Sequence, residues 1–379
     1  MKKLLLLTLS LAIGTISIAQ QTTNNWDFDG LNREYIQYVP ASYNANEAVP
    51  LVIVLHGLGD NMANMAQVGF HQVSDTANFI VVTPQAIVDQ AFTGSTAWNS
   101  GAGAFGISLN GDVDDIGFIN ALIDTISDNF NIDQSRVFAT GFSMGGFMSN
   151  RIACELNNRV AAIASVGGTI GGALTCNPGQ AMRVCHFHGT DDATVGYGMP
   201  DGIQDNTFGN NVTDWISFWT SNNSCGSVTV EGQFPNSAND NYIVDYVEYA
   251  GCTADSRVVH YKVHGADHVW LGPNNDVFYT TEIWKFFLGL SPTNLVPAGI
   301  EQTEVATVGV YPNPTTDVLR IENLDSKMNN ISVFNAEGQL VLEFSGLNQT
   351  IDVSTLSTGL YQIMIATEKG LYSNSFIKN

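Results

Sequence analysis

The pentapeptide Gly-Phe-Ser-Met-Gly at 141–145 has the residue types for nucleophilic catalysis by a serine hydroxyl. It follows an apolar run at 137–139 and opens a stretch of helical character that extends to residue 156. A nucleophile elbow presents its serine in this strand–turn–helix context. The turn is so sharp that only very small residues fit two positions to either side, and the two glycines meet that requirement. The pattern predicts that the hydroxyl of Ser143 is a nucleophile that attacks a carbonyl carbon.

A serine hydroxyl becomes a good nucleophile only when an imidazole takes its proton and a carboxylate orients that imidazole. Acid candidates lie in His-Gly-Thr-Asp-Asp at 188–192, directly after a strand-like run that ends at Phe187. We expect Asp192 to be the acid, with Asp191 as the alternative, since spacing alone does not separate two neighbours. The alternative is a purely structural role, in which the carboxylate accepts a backbone hydrogen bond and closes an Asx turn.

Three histidines lie near the end of the last strand-like run, at 257–263. His260 falls inside the run, where a structural role is expected, and His264 falls at its end. His268 follows in the loop Gly-Ala-Asp-His, from which an imidazole can swing over the sheet edge. We therefore predict that His268 is the general base.

The developing negative charge on the carbonyl oxygen requires two backbone N–H donors. One should be Met144, directly after the nucleophile. The other should be Leu58, in the run His-Gly-Leu-Gly that follows the apolar segment 51–55. We expect His56 in that run to brace the loop rather than to act as an acid or base.

Short apolar runs alternate with helical patterns from about residue 25 to residue 290. The strand-like runs lie at 51–55, 79–82, 137–139, 161–164, 184–187 and 257–263. The helical patterns lie at 112–130, 148–156, 215–219 and 281–288. This alternation predicts an α/β fold with a mostly parallel sheet that helices cover on both faces.

The pattern changes after Leu290. Residues 291–304 have the composition of a linker, and the remainder alternates short strands with turns, which predicts a small β-sandwich. That segment contains neither cysteine nor histidine, so no chemistry is expected there. The predicted organisation is a signal peptide at 1–19, a catalytic domain at 20–290, a linker at 291–304 and the sandwich at 305–379.

The first residues have the composition of a signal peptide. Lys2 and Lys3 precede an apolar run at 4–13, and small residues at 17 and 19 suit cleavage. We expect an exported protein whose mature chain has no transmembrane segment. The net charge of −22, from 14 basic and 36 acidic residues, argues against a nucleic acid partner.

Export permits disulfides, and the chain has five cysteines. Cys225 and Cys252 bracket one polar segment and are expected to pair, and Cys154 with Cys176 is the second candidate pair. Cys185 lies in an apolar run and is expected to be a buried thiol.

Three motifs suggest a cofactor, and we set each aside. The glycines at 101–106 follow no strand, so they do not form a dinucleotide-binding turn. His186 and His188 have the spacing of two metal ligands but no evident third ligand. The aspartates at 112–115 suit the start of a helix. We expect no metal or organic cofactor.

Five motifs occur in one order along the chain. They are Leu-His-Gly-Leu-Gly at 55–59, Asp-Asp-Ile-Gly-Phe at 114–118, Gly-Phe-Ser-Met-Gly-Gly at 141–146, His-Gly-Thr-Asp-Asp at 188–192 and His-Val-Trp at 268–270. Together they resemble the polyhydroxybutyrate depolymerase and feruloyl esterase group, related to carbohydrate esterase family 1, over about residues 28–290. The resemblance implies an α/β-hydrolase fold and carries the family's serine, acid and base onto Ser143, Asp192 and His268. It departs at Asp267, which adds a charge where relatives often have glycine.

These motifs predict a secreted serine esterase that acts through an acyl-enzyme on a polysaccharide-linked or polyester substrate. Feruloyl, acetyl-xylan and polyhydroxybutyrate esters all remain open. Trp98, Phe142 and Trp270 flank the predicted site and could line an aromatic cleft, although ordinary packing would explain them equally. The alternatives are a peptidase of the same fold and a non-catalytic surface binding protein.

The C-terminal segment resembles a type IX secretion sorting domain of the Bacteroidetes over about residues 305–379. The motifs are Tyr-Pro-Asn-Pro-Thr-Thr at 311–316, Asn-Ala-Glu-Gly-Gln at 335–339, Leu-Ser-Thr-Gly-Leu-Tyr at 356–361 and the ending Phe-Ile-Lys-Asn. The resemblance implies the type IX machinery as a partner, followed by removal of the domain and release or surface attachment. A carbohydrate-binding sandwich is the alternative.

Overall fold

The computed structural model describes residues 19–103, 107–249, 251–296, 306–322, 328–335, 339–345, 349–367 and 370–379. The chain divides into two compact units, Met1–Ala298 and Gly299–Asn379. The predicted signal peptide lies outside the described residues apart from its last position, and the predicted linker is described only as far as residue 296.

Ten strands of the first unit form one sheet. The strands of this unit, including the small pair β5 and β6, are β1 (Gln20–Phe28), β2 (Leu31–Val39), β3 (Val49–Leu55), β4 (Ile80–Pro84), β5 (Ile87–Val88), β6 (Thr96–Ala97), β7 (Ile132–Phe142), β8 (Ala162–Val166), β9 (Arg183–Gly189), β10 (Val228–Gln233), β11 (Ile243–Tyr249) and β12 (Val258–His264). The order across the large sheet is β1-β2-β4-β3-β7-β8-β9-β12-β11-β10. The six central strands, from β4 to β12, are parallel, and an antiparallel hairpin closes each edge. The predicted mostly parallel sheet is confirmed.

Helices cover both faces of this sheet. They are α1 (Met62–Met65), α2 (Phe70–Ala77), α3 (Asp115–Asn129), α4 (Met144–Glu155), α5 (Val212–Asn222) and α6 (Tyr279–Phe287). Alternate residues of β3 enter two separate cores, since successive side chains of a strand point to opposite faces. Leu51 and Ile53 pack in the core that includes α3, α4 and α5, whereas Val52 and Val54 pack in the core that includes α2 and α6.

The two edge hairpins are not among the predicted elements. β1 is rich in Gln, Thr and Asn and lacks the apolar run of a buried strand. β10 and β11 lie within the polar segment that Cys225 and Cys252 bracket. Both hairpins owe their strand structure to pairing with a neighbour at the sheet edge, and local composition does not encode that pairing.

Both predicted disulfides, Cys154–Cys176 and Cys225–Cys252, are present in the structure. Cys185 is a buried free thiol in β9, as predicted. Within the described residues, no helix combines the length and the apolar character that crossing a bilayer requires.

The second unit contains two small sheets. Its strands are β13 (Ala306–Thr307), β14 (Gly309–Tyr311), β15 (Val318–Glu322), β16 (Met328–Phe334), β17 (Leu340–Ser345), β18 (Thr350–Asp352), β19 (Gly359–Thr367) and β20 (Gly370–Lys378). One sheet has the order β13-β20-β19-β16-β17 and the other β14-β15-β18. Leu319 and Ile351 of the small sheet share a core with Ile331 and Ile363 of the larger one, which is the packing of a β-sandwich.

Candidate active site

Ser143 lies at the sharp turn between β7 and α4. Its backbone has φ 56° and ψ −120°, a conformation that side-chain-bearing residues rarely adopt. Gly145 permits the turn, because a Cβ at that position would lie 2.1 Å from the carbonyl oxygen of Leu55. The Ser143 N–H donates to the carbonyl oxygen of Val166 at 2.8 Å, which fixes the turn to the end of β8. The local geometry is that of a nucleophile elbow.

Asp192, rather than Asp191, contacts the predicted base. The Oδ2 of Asp192 lies 2.6 Å from Nδ1 of His268. Its Oδ1 accepts hydrogen bonds from the N–H groups of Thr194 and Val195, at 2.9 and 2.7 Å. Asp192 is 1% exposed, whereas Asp191 is an exposed residue of the same turn. The buried carboxylate is thus held in place by the backbone and directed at the imidazole.

The ring of His268 lies beside the turn that carries Ser143. Its ring stacks on Phe142, the residue before Ser143, with centroids 4.6 Å apart. Its Nε2 is buried and makes no hydrogen bond with any residue that the structure describes. Ser143 and His268 line one cavity of about 270 Å³. The structure therefore brings the predicted serine and base to one cavity wall, with the predicted acid directly behind the base.

Both predicted oxyanion donors lie on the same cavity. Leu58 and Met144 line its wall. Within the described part of the chain, neither backbone N–H group has a hydrogen-bond acceptor. Met144 is the first residue of α4, where the helix leaves its N–H groups without intrahelical partners. Two donors are therefore available beside the serine.

Comparison with known proteins gives the family. The sequence matches the Phospholipase/Carboxylesterase family over residues 41–205. Feruloyl esterase D of Neurospora crassa is 29% identical over 281 residues, which cover 72% of this chain and 87% of that protein. A probable feruloyl esterase C of Aspergillus oryzae is 30% identical over 261 residues, 68% of this chain and 84% of that protein. The chain belongs to the feruloyl esterase family. It is a carboxylic ester hydrolase.

A solved relative shares the fold of this esterase. The acetyl xylan esterase from Aspergillus awamori matches with a TM-score of 0.50 at 16% identity, over 72% of this chain and 99% of that one. The first unit thus has the α/β-hydrolase fold. Residues 309–379 match the secretion system C-terminal sorting domain, and the esterase is a secreted or cell-surface protein. The polyhydroxybutyrate depolymerase part of the resemblance stays a prediction.

Phe142 is the one predicted aromatic contact that lines the cavity of this esterase. Trp98 requires a correction, because it is fully buried and its indole N–H donates to the carbonyl oxygen of His56 at 2.9 Å. It supports the loop from behind. Trp270 lies outside this cavity and lines a separate groove, so its role as a substrate contact stays a prediction. Phe147 and Phe208 also line the cavity. Phe147 directly follows the motif at 141–146, whereas Phe208 has no motif beside it.

His56 braces the loop that carries Leu58, as expected. Its Nε2 accepts from the Ala86 N–H at 3.0 Å, and its Nδ1 lies 2.7 Å from the carbonyl oxygen of Gly57. Since a carbonyl only accepts, the Nδ1 atom carries the hydrogen. Burial lowers the pKa of this imidazole, in keeping with a neutral ring.

A chain of buried histidines lies behind the acid, and sequence reasoning did not find it. The Nε2 of His188 lies 2.8 Å from the carbonyl oxygen of Val195 and 3.3 Å from Oδ2 of Asp192. Nδ1 of His188 lies 2.9 Å from Nε2 of His186, and Nδ1 of His186 lies 2.8 Å from the hydroxyl of Ser165. His186 and His188 are therefore joined in one buried hydrogen-bonded network.

The acceptors in this chain fix its tautomers. The carbonyl of Val195 can only accept, so Nε2 of His188 carries a hydrogen and Nδ1 of His188 accepts from His186. Nδ1 of His186 then accepts from the hydroxyl of Ser165. Burial, together with the nearby imidazoles, lowers the pKa of His186 well below its usual value. Among the described residues, no three His, Cys, Asp or Glu side chains are grouped to hold a metal ion.

The carboxyl of Asp192 is poised as an anion. Burial alone would raise its pKa, but hydrogen bonds from His188 and His268 outweigh burial and hold the pKa well below the usual value.

Asp267 also helps to position the acid and the base. Its Oδ1 accepts from the N–H groups of His268 and Ala193, at 2.7 and 3.1 Å, so it joins the loop of the base to the loop of the acid.

The other two candidates for the base lie away from the cavity. His260 is buried in β12, and its Nε2 accepts from the hydroxyl of Tyr197 at 2.8 Å. His264 lies at the end of β12, with its Nε2 2.6 Å from Oδ2 of Asp245. Each is satisfied by a local partner, which suits a structural role.

The Asp-Asp motif at 114–118 anchors another wall of the cavity. Asp114 caps α3 by accepting from the Gly117 N–H at 2.8 Å. Asp115 is fully buried, and its oxygens accept from Arg33 at 2.6 Å and from the Asn99 N–H at 2.7 Å. Asn99 precedes the cavity-lining residues 102 and 103. The motif therefore ties β2 and α3 to a loop of the site.

Proposed function

We propose that this esterase hydrolyses feruloyl esters of plant cell-wall polysaccharides. Support comes from its relatives in Neurospora crassa and Aspergillus oryzae, which are described as feruloyl esterases and match most of the first unit. Secretion suits such a substrate, because a cell-wall polymer cannot enter the cell. The sorting domain at 309–379 supplies the route of export.

The mechanism we propose is acyl transfer through a serine ester. The hydroxyl of Ser143 attacks the ester carbonyl while Nε2 of His268 accepts its proton. His268 then protonates the leaving sugar alcohol, and Asp192 stabilises the imidazolium through Nδ1–H. The N–H groups of Leu58 and Met144 bind the oxyanion. Water, deprotonated by His268, attacks the acyl-enzyme and releases the free acid.

The apolar cavity beside Ser143 is the observation that favours a feruloyl group over an acetyl group. Its volume is about 270 Å³, and its walls include Leu109, Phe142, Phe147 and Phe208. An acetyl group would leave most of this apolar surface in contact with water. A planar aromatic acyl group would bury it, at about 25 cal/mol per Å² of apolar surface. Aromatic walls also suit edge and face contacts with an aromatic ring.

A hydrolysis panel tests this proposal with the full chain. The substrates are methyl ferulate, acetylated xylan and a polyhydroxybutyrate film. We expect the highest kcat/KM on methyl ferulate. Faster hydrolysis of acetylated xylan or of the film would reject the feruloyl assignment and name the competing ester.

The role of Ser143 is tested separately by the variant Ser143→Ala. We expect kcat on methyl ferulate to fall by about three orders of magnitude or more. A fluorophosphonate probe should label the wild-type protein and not this variant. Ser217→Ala is the control, because Ser217 is exposed on α5 and hydrogen bonds only to its own helix. Wild-type turnover in Ser143→Ala would rule out the mechanism.

A further inference from the structure

A second cavity, of about 580 Å³, lies at the same end of the parallel strands as the cavity at Ser143. We refer to it as the Trp270 groove. One wall comes from 64–72, which follows β3, and the other from 270–278, which follows β12. Since β3 and β12 are parallel, both walls lie at the carboxyl ends of strands, where the site lies. The connections that follow β3 and β12 also carry Leu58 and His268, respectively.

Trp270 is a fixed aromatic platform in this groove. Its indole N–H donates to the hydroxyl of Thr280 at 3.1 Å. Its ring meets Phe70, Phe142 and Tyr279 at steep angles, with centroid distances of 6.3, 6.4 and 6.2 Å. The side chain is nevertheless only partly buried. An aromatic ring that is fixed by its neighbours but open to solvent offers a rigid surface for a ligand.

The polar groups of the groove are amides. Gln67 and Gln72 are exposed residues on its rim, and neither side chain makes a hydrogen bond within the described part of the chain. The described residues that line the groove include no charged side chain. In a chain of net charge −22, this is a neutral surface of amides beside an aromatic face. Such a surface suits the hydroxyls and C–H faces of an uncharged sugar and offers no cation to an acidic one.

The direction of the reaction connects this groove with the site. In the proposed mechanism, His268 gives its proton to the leaving alcohol, so that alcohol must depart on the side of His268. Trp270 follows His268 by two residues and contacts Phe142, which lines the catalytic cavity. We infer that the Trp270 groove binds the neutral polysaccharide chain from which the acyl group is cleaved. The inference rests on the proposed function and assigns the acyl group and the sugar to separate cavities.

Binding of an unesterified sugar tests the groove without depending on hydrolysis. The probe is xylohexaose, titrated calorimetrically into the full-chain Ser143→Ala protein. The test variant adds Gln67→Ala and Gln72→Ala, and leaves Trp270 intact because that ring also packs on Phe142. The matched control adds Gln134→Ala. Gln134 is an exposed glutamine near the start of β7, and thus lies at the amino ends of the parallel strands, opposite to the site.

We expect xylohexaose to bind, with about tenfold weaker affinity after loss of both groove amides and no change in the control. An acidic oligogalacturonide of equal length should not bind. Failure of xylohexaose to bind at millimolar concentration, or equal affinity in the groove variant, would overturn the inference.

A second measurement separates this inference from the proposed function. The ratio of kcat/KM for a feruloylated xylo-oligosaccharide to kcat/KM for methyl ferulate should fall about tenfold in the groove variant with Ser143 intact. An unchanged ratio would count against the groove. If methyl ferulate itself were not hydrolysed, the feruloyl assignment would fail, and xylohexaose binding would still decide the groove.

Discussion

The Nε2 of His188 lies 3.3 Å from Oδ2 of Asp192, the same oxygen that lies 2.6 Å from Nδ1 of His268. One carboxylate therefore meets two imidazoles, one at the cavity and one in the buried network. His188 is anchored on its other side by His186. The position of Asp192, and through it the orientation of His268, thus depends in part on two histidines that do not line the cavity.

The two neighbouring aspartates should behave very differently when each loses its charge. Asp192→Asn would place an amide against Nδ1 of His268 and favour the wrong tautomer, so kcat on methyl ferulate should fall about 10⁴-fold. Asp191→Asn is the matched control, and its turnover should stay within about twofold because its carboxylate is exposed. A larger loss in Asp191→Asn than in Asp192→Asn would reverse the assignment of the acid.

Removal of the second imidazole should weaken catalysis less than removal of the acid. His188→Leu takes away an N–H that Asp192, at 3.3 Å, shares with the carbonyl oxygen of Val195, at 2.8 Å, so kcat should fall only about tenfold. The acid limb of the pH profile of kcat/KM should also move to higher pH, because His188 is one of the two imidazoles that lower the pKa of Asp192.

The variant His264→Leu provides the control for His188→Leu. His264 also pairs with a carboxylate, at 2.6 Å from Asp245, but it is about 40% exposed and lies outside the cavity. We expect its kcat and its pH profile to match the wild type. If His188→Leu matched the wild type in both measurements, the network would be only structural.

The sequence predicts those parts of the site that depend on local geometry. Ser143 could be placed because its turn requires small neighbours, and Asp192 and His268 because each follows the carboxyl end of a strand. Parallel strands bring such ends to one edge whatever the intervening chain contains. The central strands were predicted for a similar reason, since a strand buried on both faces is a continuous apolar run.

The remaining features depend on contacts between distant segments. Phe142 and Trp270 both belong to the motifs and Trp98 lies outside them, yet only Phe142 reaches the cavity, because side-chain direction is set by the fold. The contact between His186 and Ser165 spans two strands and has no periodic signal. The pairing of Arg33 with Asp115 links residues 82 positions apart. Such partners become evident only when the sheet order is known.

The buried ion pair of Asp115 should contribute far more to the free energy of unfolding than a partly exposed ion pair with the same N···O distance. Arg33 and Asp115 are fully buried at 2.6 Å, and Asp115→Asn would leave the cation of Arg33 without its counter-charge. We expect the free energy of unfolding to fall by about 3–5 kcal/mol. Asp133→Asn is the control, since its 2.6 Å pair with Arg136 is partly exposed and should contribute less than about 1 kcal/mol. Urea unfolding of both variants measures the difference, and equal losses would contradict the role of burial.

The buried histidine His260 should make the fold sensitive to mild acid. Burial lowers its pKa from 6.5 to about 3, and the neighbouring His188 acts in the same direction. Between these values the unfolded chain binds a proton that the folded chain excludes, so the free energy of unfolding must decrease as the pH falls. One such group contributes a slope of at most about 1.4 kcal/mol per pH unit. The burial of His186 acts in the same direction.

The variant His260→Gln removes this titration and keeps an amide that can bond to Tyr197 and to the carbonyl of His186. The other groups that face His260 are unchanged by the substitution; they are His186, His188, Tyr197, Lys262 and Asp245. Urea unfolding is measured at several pH values from 4 to 7. The free energy of unfolding should fall less steeply with decreasing pH in the variant, and the difference in slope should correspond to at most about one bound proton. If both proteins lost stability along the same slope, the folded state would have to accommodate a charged imidazole at that position in β12, and the assignment of His260 as a neutral buried acceptor for Tyr197 would be wrong.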